Sequence, residues 1–489
     1  MATGTMVREL LVTAQSGKKP LIVQRMNEWH YLERSLHRLV AAWARRFPDW
    51  EDKRAVCRHV WEQAECVRRL RERLVEFPGT STNLDAPVSA RLEHLTNTVL
   101  LAPTHQDAVD GVYQILTGAL VHAYLRYVEH AHPVHDAPTV AMLQEIVRIK
   151  EQQRLWLRDY RRRYPHTVNA AYRGAIEAAI ADCADFRESL PVDPADPAQP
   201  VGVRTGFRLP AAAASPFGGF VGAAEIEDAS PIGDAPKAVT PAQRLDFMPC
   251  IERDFVTSIE ARRLFWMYGY MLEQGLADDQ MTWIWASHSL PWEFQQDVSR
   301  HLWDESRHGD SGYSRFLDFG FVPERIGFAN DTEPYKANYV AGEVPTMPTL
   351  TPRELYDRVF FIGMCAETGH FAVKHEAYAD FKDGGDLESA EMVLFDIIDE
   401  TSHVQYAHHW LPMLAERADV DPAEFRDKGR TERDRYQQVA DTRLAALQAT
   451  PLDTSAPQYV YYQRLLQILR DKQPLTNANT CPPRSFKPM

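Results

Sequence analysis

The 489-residue chain is 45% hydrophobic and 25% charged, an ordinary globular balance for two or three domains with a sizeable core. Its formal net charge of −14 argues against nucleic acid as the main partner, and its six cysteines (Cys57, Cys66, Cys183, Cys250, Cys365, Cys481) form no C-x-x-C pair, which excludes a zinc ribbon and a disulfide scaffold. No apolar run reaches the ~18 residues of a membrane span and the first residues lack a signal peptide's apolar core, so a cytoplasmic protein without membrane contact is expected.

Residues 22–186 read as a helical domain. Apolar residues recur at three- and four-residue spacing in "WHYLERSLHRLVAAWARRF", "AVCRHVWEQAECVRRLRERLVEF", "DAVDGVYQILTGALVHAYLRYVEHA" and "APTVAMLQEIVRIKEQQRLWLRDYRRRY". A fifth helix is expected near "NAAYRGAIEAAIADCADF". Residues 187–250 are rich in Pro, Ala and Gly and read as an extended linker over the surface. Four long helices follow within 251–418. Pro291 after "SHSL" marks one start, and Thr351-Pro352 with Glu354 three after the Thr marks another. Residues 419–489 carry two more helical pieces and an irregular tail.

The expected fold is therefore all-α, with two four-helix bundles in tandem joined by the linker. "RHVWEQAEC" from Arg58 lies over "RHLWDESRH" from Arg300, placing Gln63 on Glu305 and Cys66 on His308. "RIKEQQR" over "IIDETSH" places Glu151 on Glu400 and Arg154 on His403, and Gly118 falls on Glu367. The first bundle then reads as a degenerate copy without metal ligands.

Chemistry concentrates in the second. Glu305/His308 and Glu400/His403 are Glu-x-x-His pairs, and residues three apart share a helix face. Two such helices plus one glutamate from each of two others make a carboxylate-bridged two-metal site. Glu273 stands 32 residues before Glu305, and Glu367 stands 33 before Glu400, spacings that fit antiparallel helical hairpins. The expected ligands are Glu273, Glu305, His308, Glu367, Glu400 and His403. Four carboxylates with two imidazoles suit iron, or a manganese–iron pair, better than structural zinc. Asp304 and Asp399 are placed to orient the facing histidines, Asp304 for His403 and Asp399 for His308, with Arg307 balancing their charge. His370, on the face carrying Glu367, is a further candidate ligand. Tyr268, Tyr406, Trp283 and Trp285 lie near the site in sequence and read mainly as core.

"DESRH…E…DETSH" resembles the ferritin-like di-iron carboxylate superfamily, and "DESRH" is close to the Asp-Glu-x-Arg-His of its oxygenase branch. The resemblance covers residues 251–418. It implies ferritin-like bundles, here in tandem with the first degenerate, and a long crossover at about 318–350. It also implies iron as cofactor and dioxygen as co-substrate. The expected function is a non-haem di-iron oxidoreductase, a monooxygenase or oxidase that hydroxylates or N-oxygenates a small organic substrate. It would need a separate electron donor and leaves a homodimer open. The alternatives are a peroxidase or ferroxidase for redox or iron handling, and a scaffold with a vestigial metal site.

Overall fold

The computed structural model describes residues 21–47, 49–77, 84, 86–210, 248–321 and 349–471. Most of the expected crossover, residues 211–247 of the expected linker, the tail with Cys481 and the first 20 residues lie outside them, while residues 248–250 of that linker already belong to a helix. The described residues form helices and connecting segments, with no strand among them and only one isolated bridge, between Ser89 and Pro197.

In chain order the first half contains α1 (Leu21–Ala44), α2 (Trp50–Val75), the short α3 (Ala90–Leu100), α4 (His105–Val109), α5 (Thr117–His130), α6 (Ala137–Arg163) and α7 (Ala170–Asp182). Helix α3 was not among the expected elements. Ser89 caps it and it buries Leu92, Leu95 and Val99 at helical spacing. The second half contains α8 (Met248–Asp254), α9 (Ile259–Ala286), α10 (Trp292–Asp318), α11 (Pro352–Phe360), α12 (Glu367–Asp383) and α13 (Leu387–Arg417). Helices α14 (Pro422–Ala449) and α15 (Pro457–Asp471) follow. No described helix is long and apolar enough to cross a membrane.

Local chemistry sets the starts of the helices that matter here. Ser258 accepts from the Ala261 amide at 3.1 Å and caps α9. Thr351 and Glu354 form a reciprocal capping box at the start of α11, with Pro352 in the first turn. Asp386 accepts from the Ser389 amide at 3.2 Å and caps α13. In each half a π-helical segment interrupts the third long helix, at Asp110–Leu116 before α5 and at Phe361–Ala366 before α12. Such bulges shift the face that the following residues present.

Helices α9, α10, α12 and α13 pack around one another, as do α1, α2, α5 and α6. The halves meet where α10 lies on α2 and α9 on α1, and one apolar core runs through both. The close approach of α9 and α10 depends on Gly312, where a Cβ would sit 2.5 Å from the Met267 carbonyl oxygen and 2.6 Å from the Met271 nitrogen. Buried polar pairs pin the halves together. Lys53 Nζ donates to Asp278 Oδ1 at 2.8 Å, and His37 Nε2 lies 2.7 Å from Ser299 Oγ.

Residues 187–210 are non-helical apart from turns, but they do not simply drape the surface. Val201 and Leu209 are buried, and the Gly202 amide donates to Asn97 Oδ1 at 2.8 Å.

Candidate metal centre

The inward faces of α9, α10, α12 and α13 place a cluster of acids and histidines in an otherwise apolar interior. Two helices contribute three residues each, at i, i+4 and i+7. They are His301, Glu305 and His308 on α10, and Asp396, Glu400 and His403 on α13. Helix α9 adds Glu273, and α12 adds Glu367 and Lys374. The π segment ends at Ala366, so Glu367 is the first residue presented after the shift in face.

Donor atoms converge in three overlapping groups, each within 4.8 Å: His301, Glu305, Glu367 and His403; Glu273, His308 and Asp396; and Glu305, His308 and Glu400. Glu305 serves both sides. One of its oxygens lies 3.6 Å from His403 Nδ1 and the other 3.9 Å from His308 Nδ1. All six ligands expected from the sequence are among these groups, joined by His301 and Asp396. His370 is half-buried and belongs to none of them.

The chemistry of these atoms fits a cation. Glu273 Oε2, both Glu367 oxygens, Glu400 Oε2, His308 Nδ1 and His403 Nδ1 are buried without any hydrogen-bond partner. Several lie within ion-pair distance of each other, as His308 Nδ1 does with Glu273 Oε2 at 3.1 Å, but without the angles of a hydrogen bond. Orphaned buried acceptors carry a large desolvation cost, which a shared metal ion would remove. Burial pushes the Glu273 carboxyl up to about 8. At Glu400 burial acts in the same direction, but the Lys374 ammonium together with His403 and His308 outweighs it and holds the group well below the usual carboxylate range.

The far sides of the histidines are held. His403 Nε2 lies 3.3 Å from Asp304 Oδ2, and His308 Nε2 lies 3.2 Å from Asp399 Oδ2. Each aspartate thus meets the histidine of the facing helix and turns its Nδ1 inward, the orientation of a metal-ligating imidazole. Arg307 reaches both aspartates, at 2.7 Å from Asp399, and Arg300 joins them at 2.8 Å from Asp304. Burial would raise Asp304, but hydrogen bonds from His403 and Arg300 prevail and hold it well below its ordinary value.

His301 stacks on His403 with ring centroids 3.6 Å apart. Its Nε2 faces Glu305 at 2.7 Å and Glu367 at 2.8 Å, and its Nδ1 meets the Tyr406 hydroxyl. Trp283 packs edge-on against the same imidazole. Tyr268 and Trp285 belong to the apolar core. His301 and Asp396 are missing from the sequence-based set, although each stands four residues before a ligand glutamate and so on its face.

Lys374 is the other unforeseen member. Its ammonium lies 2.5 Å from Glu400, 2.7 Å from Asp396 and 3.9 Å from Glu273. Burial alone would lower its pKa, but Asp396 and Glu400 hold it well above the usual lysine value. Tyr270 donates to Asp396 at 2.7 Å and completes that corner.

The first half holds a different buried network. Lys150 Nζ donates to Glu33 at 2.7 Å and to Gln63 at 3.0 Å, Tyr124 donates to Glu33 at 2.7 Å, and Gln63 donates to Gln153 at 2.9 Å. The residues that α6 turns inward are not the two that the sequence alignment set on Glu400 and His403. Glu151 and Arg154 are half-exposed and pair with each other at 2.8 Å, while Lys150 and Gln153 turn inward. Likewise Thr117, directly after the π segment, is buried where Gly118 was expected to face the centre.

Compared with known proteins, the chain matches no family model, no curated protein and no solved structure.

Proposed function

We propose that the second half is a ferritin-like bundle holding two iron ions, and that the chain is a non-haem di-iron oxidoreductase acting on a small organic substrate. The observation that carries this reading is the convergence of orphaned carboxylate and imidazole atoms on one buried space, with Asp304 and Asp399 orienting the histidines from behind. In this reading Glu273, Glu305, His308, Glu367, Glu400 and His403 hold the ions, with His301 as a third nitrogen donor and Asp396 as a further carboxylate beside Glu273 and His308. Ferrous ions held there supply the electrons and Lewis acidity that activate dioxygen.

The remaining steps belong to the chain's own residues. A cleft of about 320 Å³ runs inward between α10 and α13. Phe395 and Met392 flank it, while buried His308, Asp396 and Tyr270 line its inner part. That arrangement admits a small molecule to one side of the centre and binds an apolar portion beside it. The Arg300–Asp304–Arg307–Asp399 network fixes both imidazoles, so the donor set is ordered in advance. In this reading the first half is a degenerate bundle whose polar centre Lys150 neutralises.

The test is oxygen uptake. Protein loaded anaerobically with ferrous iron should consume dioxygen on mixing, and Glu305→Ala should not. A wild-type protein that binds iron but leaves dioxygen untouched would overturn the oxidative reading.

A further inference from the structure

We infer that the two pockets of this centre are unequal: Lys374 makes the Glu273/His308/Asp396 side a weak, late-filling site for a divalent cation, and the His301/Glu305/Glu367/His403 side fills first. The inference rests on the di-metal reading above.

The asymmetry lies in where the buried positive charge sits. The Lys374 ammonium is 4% exposed and lies against Asp396 and Glu400, with Glu273 at the edge of its reach. A cation bound by Glu273, His308 and Asp396 has to share their oxygens with an ammonium that donates no electron pair. In a buried site that repulsion is only weakly screened. On the other side, His301, Glu305, Glu367 and His403 have no lysine or arginine in salt-bridge contact among the described residues. Arg300 and Arg307 are directed to Asp304 and Asp399 behind the histidines.

The first half shows independently that an ammonium satisfies such a centre. There Lys150, fully buried, takes Glu33 and Gln63 at 2.7 and 3.0 Å. Glu33 lies on the first long helix as Glu273 does, Gln63 on the second as Glu305 does, and Lys150 and Gln153 on the fourth as Glu400 and His403 do. In that half the lysine neutralises the buried acid by itself. Lys374 brings the same device into one side of the second half.

Manganous or anaerobic ferrous ion titrated calorimetrically into the full chain, with metal content measured after desalting, tests the idea. Wild type should bind in two steps and retain one ion per chain after desalting. Lys374→Met should tighten the second step by about tenfold or more and retain close to two. Glu367→Gln should abolish the tight step, whereas Glu273→Gln should remove only the weak one, and these variants decide the matter even if Lys374→Met fails to fold. Two ions bound equally by wild type, or a tight step lost in Glu273→Gln and kept in Glu367→Gln, would overturn the inference and leave the di-metal reading intact. No binding by any of the proteins would overturn both.

Discussion

Asp399 touches no expected metal position, yet it holds His308 at 3.2 Å and accepts from Arg307 at 2.7 Å. Removing such a partner frees the imidazole to rotate. Asp399→Ala should therefore weaken metal affinity by about 10- to 100-fold with little change in helical content, measured by competition with a fluorescent chelator and by circular dichroism. Unchanged affinity would mean that His308 does not serve as a ligand. At this scale the sequence was most informative, because three-residue spacing on a helix is local geometry. The Glu-x-x-His pairs follow from it directly, the lone glutamates from the 32- and 33-residue hairpin spacings, and the crossed aspartates from their place beside each paired glutamate. His301 and Asp396 extend the same stripes by one turn, but a histidine or aspartate four residues upstream is an ordinary surface pattern as well. Lys374 was beyond reach in principle. A lysine in a helix is nearly always solvated, and only tertiary packing shows that Asp396 and Glu400 close around this one.

Among the elements, the α9–α10 hairpin is the part most sensitive to volume. A side chain at Gly312 would meet backbone atoms of α9 that cannot step aside. Gly312→Val should cost about 1–3 kcal/mol, read as a lower urea midpoint, and should also loosen the register of Glu273 against His308. An unchanged midpoint would show that the two helices have room to separate. Helix existence and most starts were legible from periodicity and caps, as at Thr351. Helix α3 escaped because its 11 residues offer few periodic positions. The π segments were illegible, since an extra residue within a helical turn leaves the apolar pattern nearly unchanged. In the first half the alignment followed the glutamate at 151, yet the helix turns its neighbour Lys150 inward.

At the level of the whole molecule, the halves share a core and are pinned by neutral as well as charged buried groups. His37 contacts Ser299 across the junction, and within the first half His59 lies 3.0 Å from the Tyr113 hydroxyl. Burial lowers both histidines to about 3. The folded state keeps them neutral while the unfolded chain takes up protons below its ordinary histidine value of 6.5. Their contribution to stability is thus complete above pH 6.5 and is lost as pH falls toward 3, on the order of 2 kcal/mol for each at pH 5. Urea unfolding at pH 7 and pH 5 should show this loss, and His37→Gln should show a smaller one. An equal loss in the variant would remove His37 from the account. This long-range packing was hidden in the sequence, where the region after residue 186 read as a surface linker; the buried Val201 and Leu209 show that its described part contributes to the core.

The most direct measurement is metal content per chain at saturating free ferrous iron under anaerobic conditions, by equilibrium dialysis and elemental mass spectrometry. Two irons are predicted for wild type, two for Gln63→Ala in the first half, and a clear loss for Glu305→Ala, whose carboxylate faces both pockets. No iron in wild type, or full occupancy in Glu305→Ala, would contradict the assignment of this cluster as a metal centre.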